Sequence, residues 1–261
     1  MDNLTYWQSR TLRTQQRLTK KTESDVNKQL VKYYRQTSQR IIKDFEALYD
    51  KILSMKNEGK EPTPADLYRL DKYWEMQGQL QHELQRLGDN SMAYMQKRFV
   101  EQYINVYESV SLPSQAMFAT MDKEQAQQMI NSIWCADGKS WSERIWDNTK
   151  LLGETLNEEL VHCVVTGKKT SDLKKLLQEK FSVNHYCADR IARTEIAHIN
   201  TQAAQQRYKD YGIKEVEVWA DKDERRCEIC GKLHKKRYPV GGRMPVPVHP
   251  NCRCTIIPVV E

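Results

Sequence analysis

Two short stretches, Cys227-Glu228-Ile229-Cys230 and His249-Pro250-Asn251-Cys252-Arg253-Cys254, govern the reading of the tail. Thiols three positions apart on a tight turn converge on one point. A second pair brought in from a distant loop completes a tetrahedron, the geometry that zinc takes from Cys and His. Around these stretches Gly231, Gly241 and Gly242, with Pro239, Pro245, Pro247, Pro250 and Pro258, exclude a long helix and favour short strands joined by turns. The tail is rich in Lys, Arg and Pro and poor in large apolar side chains, so a bound ion would supply the stability that so small a core lacks. Cys227, Cys230, His249, Cys252 and Cys254 compete for four places, and the spacing does not choose among them. An extended Arg253 would point Cys252 and Cys254 to one face. His234, set among Lys232, Lys235, Lys236 and Arg237, is a weaker sixth candidate on an expected exposed turn.

The same residues argue against catalysis. A catalytic zinc needs an open position and a general base beside it. Glu224 and Glu228 are near in sequence, but neither HExxH nor HxE with PCxxC is present. His82, His162, His185 and His198 fall on predicted helices with no nucleophile in a recognised arrangement, and Cys135, Cys163 and Cys187 are scattered as small buried groups. No GxGxxG or GxxxxGK[ST] phosphate loop occurs. The expected metal is structural Zn2+, and the protein is expected not to be an enzyme.

Upstream of the tail, Glu215-Val216-Glu217-Val218-Trp219 alternates as a half-buried strand does, and Thr255-Ile256-Ile257 is the expected closing strand. Asn184 to Tyr211 reads as a long helix with Ala188, Ile191, Ala192, Glu195, Ile199, Ala203 and Tyr208 on its buried stripe and Gly212 at its end. A short helix from Thr170-Ser171-Asp172 precedes it. Before that, Ser140-Trp141-Ser142-Glu143 has the form of a capping box opening a helix that runs to Gly167.

The first half is helical by periodicity. Val26, Leu30, Tyr33/Tyr34, Ile41, Phe45, Leu48, Ile52 and Met55 form one stripe, with a stop at Asn57-Glu58-Gly59. Thr63 as N-cap with Pro64 after it restarts a helix bearing Leu67, Leu70, Trp74, Leu80, Leu84 and Leu87, ending at Gly88-Asp89-Asn90. A third carries Met92, Met95, Phe99, Tyr103, Val106 and Val110 before Pro113. The expectation is a mostly α, α+β chain: a long helical arm or hairpin over residues 1–134 that needs a covering partner, then a helical/β domain over 140–261 with a zinc-knuckle-like β module at 219–258.

Charge and composition narrow the function classes. At 261 residues, 29% charged and 39% hydrophobic, the chain is polar yet rich enough in apolar side chains to form a core. No stretch is apolar enough to span a bilayer, and Met1-Asp2-Asn3-Leu4-Thr5 predicts no signal peptide, so no membrane association is expected and the seven cysteines are expected as thiols or metal ligands. The net charge of +6 is uneven: residues 1–60 carry 13 Lys/Arg against 7 Asp/Glu, and residues 221–254 carry 9 against 4. Basic ends suit contact with nucleic acid or an acidic partner, and in the tail Lys232, Lys235, Lys236, Arg237 and Arg243 are the candidate contacts.

Ile191-Ala192-Arg193-Thr194-Glu195, then Asn200, Tyr208 and Gly212, the run from Asp221 to Cys230, and Pro247-Val248-His249-Pro250-Asn251-Cys252-Arg253-Cys254 come in a fixed order. This ordered set resembles the phage Mu F-like head morphogenesis family of minor capsid proteins over about residues 145–260. The basic loop from Lys232 to Arg243 departs from the usual pattern. The resemblance implies a minor component of a tailed-phage or prophage head, in the virion at the portal vertex or capsid interior and in the host cytoplasm during assembly. Its implied partners are the portal protein, the major capsid or scaffolding protein and packaged double-stranded DNA, and its implied role is head assembly, DNA packaging or delivery. Arg193, Thr194 and Glu195 are its motif residues, with Arg193 expected to tie the helix to the metal module. A competing expectation is a zinc-containing, nuclease-like DNA-processing enzyme, which would need a second cluster for Mg2+ or water activation. A zinc-module transcription regulator lacks a recognition helix after the second ligand pair.

Overall fold

The computed structural model describes residues 4–57, 63–110, 120–221 and 223–260. Its elements are α1 (Tyr6–Asn57), α2 (Pro64–Tyr68), α3 (Asp71–Ser109), α4 (Lys123–Ile130), α5 (Trp141–Thr166), α6 (Thr170–Asp210), β1 (Glu215–Trp219), α7 (Glu228–Leu233), β2 (Arg237–Pro239) and β3 (Thr255–Pro258). The fold is mostly α, α+β, as the sequence predicts, and its strands form one small antiparallel sheet of order β2-β1-β3. No helix among the described residues is long and apolar enough to cross a membrane. The expected stops at Glu58, Gly59 and Pro113 lie outside the described residues.

The helix expected to run from Thr63 through Leu87 is broken after Tyr68 and resumes at Asp71, and three further boundaries differ from expectation, each for a physical reason. α1 begins at Tyr6, a full twenty positions before Val26, because its early buried face is polar: Thr11, Gln15 and Thr22 are all almost wholly buried. Apolar periodicity cannot reveal such a face. α3 runs unbroken through Gly88-Asp89-Asn90. A Cβ on Gly88 would lie 2.5 Å from the Trp146 ring, so this glycine serves close packing against α5 and ends nothing. The predicted short helix at Thr170 and long helix at Asn184 are one helix, α6, joined through the buried Leu177 and Phe181. Other signals hold: Thr63 and Asp66 form a capping box at α2, and Gly167 and Gly212 take φ of 61° and 71° just past α5 and α6.

The chain divides into two compact units. One comprises residues 28–93 and 142–189. There the stripe of Phe45, Leu48, Tyr49 and Ile52 is fully covered within the chain, and Tyr49 Oη lies 2.8 Å from the Cys163 carbonyl and 2.7 Å from that of Lys168. Its buried polar centre pairs the amides of Asn148 and Asn184, each donating to the other's side-chain oxygen (2.9 and 3.1 Å), while Tyr34 Oη donates to Asn184 Oδ1 at 2.8 Å. Burial pushes the Tyr34 phenol far above its ordinary range.

The other unit comprises residues 1–27, 94–141 and 190–261. Its helices are joined by a buried relay: Thr22 Oγ1 donates to Gln102 Oε1 (2.7 Å), Gln102 Nε2 to Asn200 Oδ1 (2.6 Å) and Asn200 Nδ2 to Thr19 Oγ1 (2.7 Å). The sheet packs on the start of α1. Leu12, Trp219 and Ile257 form one cluster with Leu4 against it. Gln8 Nε2 donates to the Pro258 carbonyl at 3.0 Å, and Thr255 Oγ1 to Gln15 Oε1 at 2.6 Å. On β1, Val216 and Val218 are buried and pair with Pro258 and Ile256 of β3.

Candidate metal centre

The site lies wholly in the second unit. β1 leads through Ala220 into a loop that ends at Cys227, the N-cap of the six-residue α7. The Cys227 sulfur accepts the Cys230 backbone N–H at 3.3 Å, the tight knuckle that the CxxC spacing calls for. The chain then returns as β2, turns, passes a cis Val246-Pro247 bond and closes a second turn, in which Cys252 N–H donates to the His249 carbonyl at 3.1 Å. Asn251 adopts φ 61° there, a conformation that Asn tolerates better than most residues.

These two turns bring all five predicted donors together. Cys227, Cys230 and His249 form one group, and Cys230, Cys252 and Cys254 a second, the donor atoms of each lying within 4.8 Å of one another. Cys230 belongs to both. His249 Nε2 is 3.2 Å from Cys227 Sγ and 3.3 Å from Cys230 Sγ, and Cys230 Sγ is 3.8 Å from Cys252 Sγ. Tetrahedral zinc with ordinary bond lengths sets its sulfurs about 3.8 Å apart and a sulfur and an imidazole nitrogen about 3.5 Å apart. These three separations are close to the edges of such a tetrahedron, and the donors form two overlapping groups of three that share Cys230.

Electrostatics give the same fit. Cys230, Cys252 and Cys254 are all buried. The hydrogen bond from Cys254 pulls the Cys252 thiol down to about 5, while that same bond pushes Cys254 far up. Burial pushes Cys230 up to about 12. Of these three buried thiols, Cys252 is the one held toward its thiolate form. The backbone N–H of Cys230 lowers the Cys227 thiol. His249 Nδ1 sits 2.9 Å from the Pro250 carbonyl, which raises its affinity for a proton and leaves Nε2 turned to the sulfurs, the arrangement in which a histidine ligates a metal. The Cys/His cluster can hold a metal ion.

The remaining predicted residues are placed differently. His234 stands outside the cluster: its Nδ1 accepts the Ala220 N–H at 3.2 Å and its ring meets Trp219 edge-on. Arg193 is exposed. One bond from α6 to the ligand turn is made by the neighbouring Thr194, whose Oγ1 accepts the Asn251 N–H at 3.2 Å. Glu195 is buried and accepts the Trp134 indole N–H at 2.9 Å. In the basic loop, Lys232 pairs with Glu228 at 2.6 Å and Arg237 faces Glu215 at 3.8 Å. Lys235 takes φ 66° and donates its N–H to the Val218 carbonyl, Lys236 accepts the Val218 N–H, and Arg243 is exposed.

Beside His249 lies a groove of about 860 Å³ that the sequence does not announce. Trp134 stacks flat on His198 there, 4.2 Å between centroids, and Thr194, Gln202 and Arg243 complete its polar lining. The Thr194-Glu195 motif was the one available signal, because both residues reach this corner.

Residues 154–257 match the family model described as Phage Mu protein F like protein. The C-terminal part of the chain is a phage Mu F-like domain. No curated protein and no solved structure gives a significant match. The Mu F-like segment starts within α5 and ends in β3, so it takes in every donor of the cluster, the Arg193-Thr194-Glu195 motif and the sheet.

Proposed function

We propose that the chain is a minor structural protein of a tailed-phage or prophage head, and that its metal module is a docking element for the portal or for capsid or scaffolding protein. The observation that carries this reading is the Mu F-like match over residues 154–257, which associates the chain with phage head morphogenesis. The form of the cluster supports an inert role. It is rich in sulfur, is mostly buried and offers five protein donors for four positions, the mark of a structural zinc site that leaves no place for water. The ion is Zn2+, and its work is to clamp the turn at Cys227–Cys230 to the turn at His249–Cys254. The loop bearing Lys232, Lys235, Lys236, Arg237 and Arg243 stands beside the clamp as a contact for a protein partner, and the virion is the place where that contact is made.

The test is co-sedimentation of the purified chain with portal oligomers or procapsids of its own phage, alongside elemental analysis. Binding by the intact chain, with close to one zinc per molecule, is the expected result. Zinc at a few tenths per chain or less would remove the clamp, and a chain that stays in the supernatant with both portal and procapsid would remove the docking role.

A further inference from the structure

The groove beside His249 has one face of α6 as its floor. Thr194, His198, Gln202, Gln206 and Lys209 recur there at helical spacing. Gln202 and Arg243 line both this groove and an adjoining cavity of about 310 Å³, so the two make one trough. From Thr194 to Lys209 its floor runs about 22 Å. An extended chain rises about 3.3 Å per residue, so about six or seven residues fill that length. One wall is Met244-Pro245-Val246-Pro247-Val248, in which each proline favours an extended backbone at the residue before it. The backbone N–H groups of Met244 and Val246 make no hydrogen bond among the described residues. Ile133, 61% exposed, and the Trp134 ring add further apolar surface.

Charge in the trough is one-sided. Among the described residues no carboxylate lines it, in a chain that carries 35 Asp and Glu. Arg243 and Lys209 line it, both exposed, and neither makes an ion pair among the described residues. The carboxylates of α6 closest to these positions are engaged. Glu195 accepts the Trp134 indole N–H at 2.9 Å, and Asp210 accepts from Gln206 at 2.9 Å and from Tyr107 at 2.5 Å.

We propose that this trough binds an extended acidic peptide, a run of about six residues in which Asp or Glu alternates with apolar side chains. Side chains of an extended chain point alternately to opposite sides, so one set meets the Pro-Val wall while the other reaches Arg243 and Lys209. The N–H groups of Met244 and Val246 are donors for the carbonyls of such a chain, as in strand addition to an open edge. A nucleic-acid strand calls for a cationic track along its phosphates, and two cations along about 22 Å do not make one. A simple anion would leave the apolar wall unused. The inference deepens the docking reading, on which it rests only for the partner that presents the peptide.

The test uses purified full-length protein and three fluorescein-labelled hexapeptides, Glu-Val-Glu-Val-Glu-Val, Gln-Val-Gln-Val-Gln-Val and Lys-Val-Lys-Val-Lys-Val, followed by fluorescence anisotropy. The wild type is expected to bind the acidic peptide about tenfold more tightly than the neutral one and the basic peptide least. Lys209→Glu/Arg243→Glu is expected to reverse that order. Lys43→Glu/Lys51→Glu, the same change of charge at exposed positions in the other unit, is expected to preserve it. Gln202→Trp, which fills the floor, is expected to weaken binding of the acidic peptide about tenfold, and thermal melting shows which variants are folded. Should one variant fail to fold, the wild-type order and the other variant still decide. No binding of the acidic peptide by the wild type, equal affinity for all three peptides, or an unchanged order in folded Lys209→Glu/Arg243→Glu would overturn the proposal. No portal or procapsid is present in this assay, so its failure leaves the co-sedimentation result standing, and the reverse also holds.

Discussion

Arg253 sits between two buried cysteines, yet its guanidinium closes on Asp223 with two 2.6 Å bonds. That fork holds the loop before Cys227 against the turn that carries Cys252 and Cys254. It also holds the Asp223 carboxyl down at about 2 from its ordinary 3.8. A depressed carboxylate contributes stability that is fully present above its unfolded pKa and is lost as pH falls through the folded value. In metal-free protein, melting temperatures of the wild type and Asp223→Asn should therefore differ at pH 5 and converge as the pH is lowered from about 4 to about 2. The gap should also shrink in high salt, since the pair is solvent-accessible. A gap unchanged through that pH range would assign the loop's order to other contacts. At this scale the donor set was legible, because ligand chemistry demands particular residues at particular spacings. Thr194, Trp134 and His198 were not. Their contacts join positions about sixty residues apart, and hydroxyl or ring contacts of that kind leave no periodic trace.

Among the elements, α3 shows why a glycine needs its surroundings to be understood. Gly88 lies in mid-helix where it weakens the helix intrinsically, and the compensation is the Trp146 ring laid against its backbone. Gly88→Ala improves helix propensity but drives a methyl into that ring, so the net effect should be a destabilisation of about 1–3 kcal/mol in urea titration. A more stable variant would show that the two helices can part without cost. The strands were readable because β1 alternates from Glu215 to Val218 and β3 carries two consecutive Ile residues that are both buried. The start of α1 was hidden for the opposite reason. Beside Leu12 its inward face carries Thr11, Gln15 and Thr22, and a relay through Gln102, Asn200 and Thr19 satisfies part of that polar surface. Hydrogen-bonded interiors follow no hydrophobic rhythm.

For the molecule as a whole, the metal clamp bears on one unit only. Removing the ion with a chelator should speed amide hydrogen exchange across residues 219–258, while protection in residues 28–93 changes little. Unaltered exchange in the tail would mean that the small sheet stands without its clamp. That sheet also depends on the other end of the chain. Gln8 and Pro258, which bond directly, are 250 positions apart. At ordinary ribosomal speeds of about 5–20 residues per second, roughly 12–50 s separate the synthesis of the two. For that interval Leu4 and Leu12 have no cluster to enter, and the nascent chain carries a half-finished amphipathic helix into the cell. Its safe maturation then becomes a matter of what shields that helix until β3 is released.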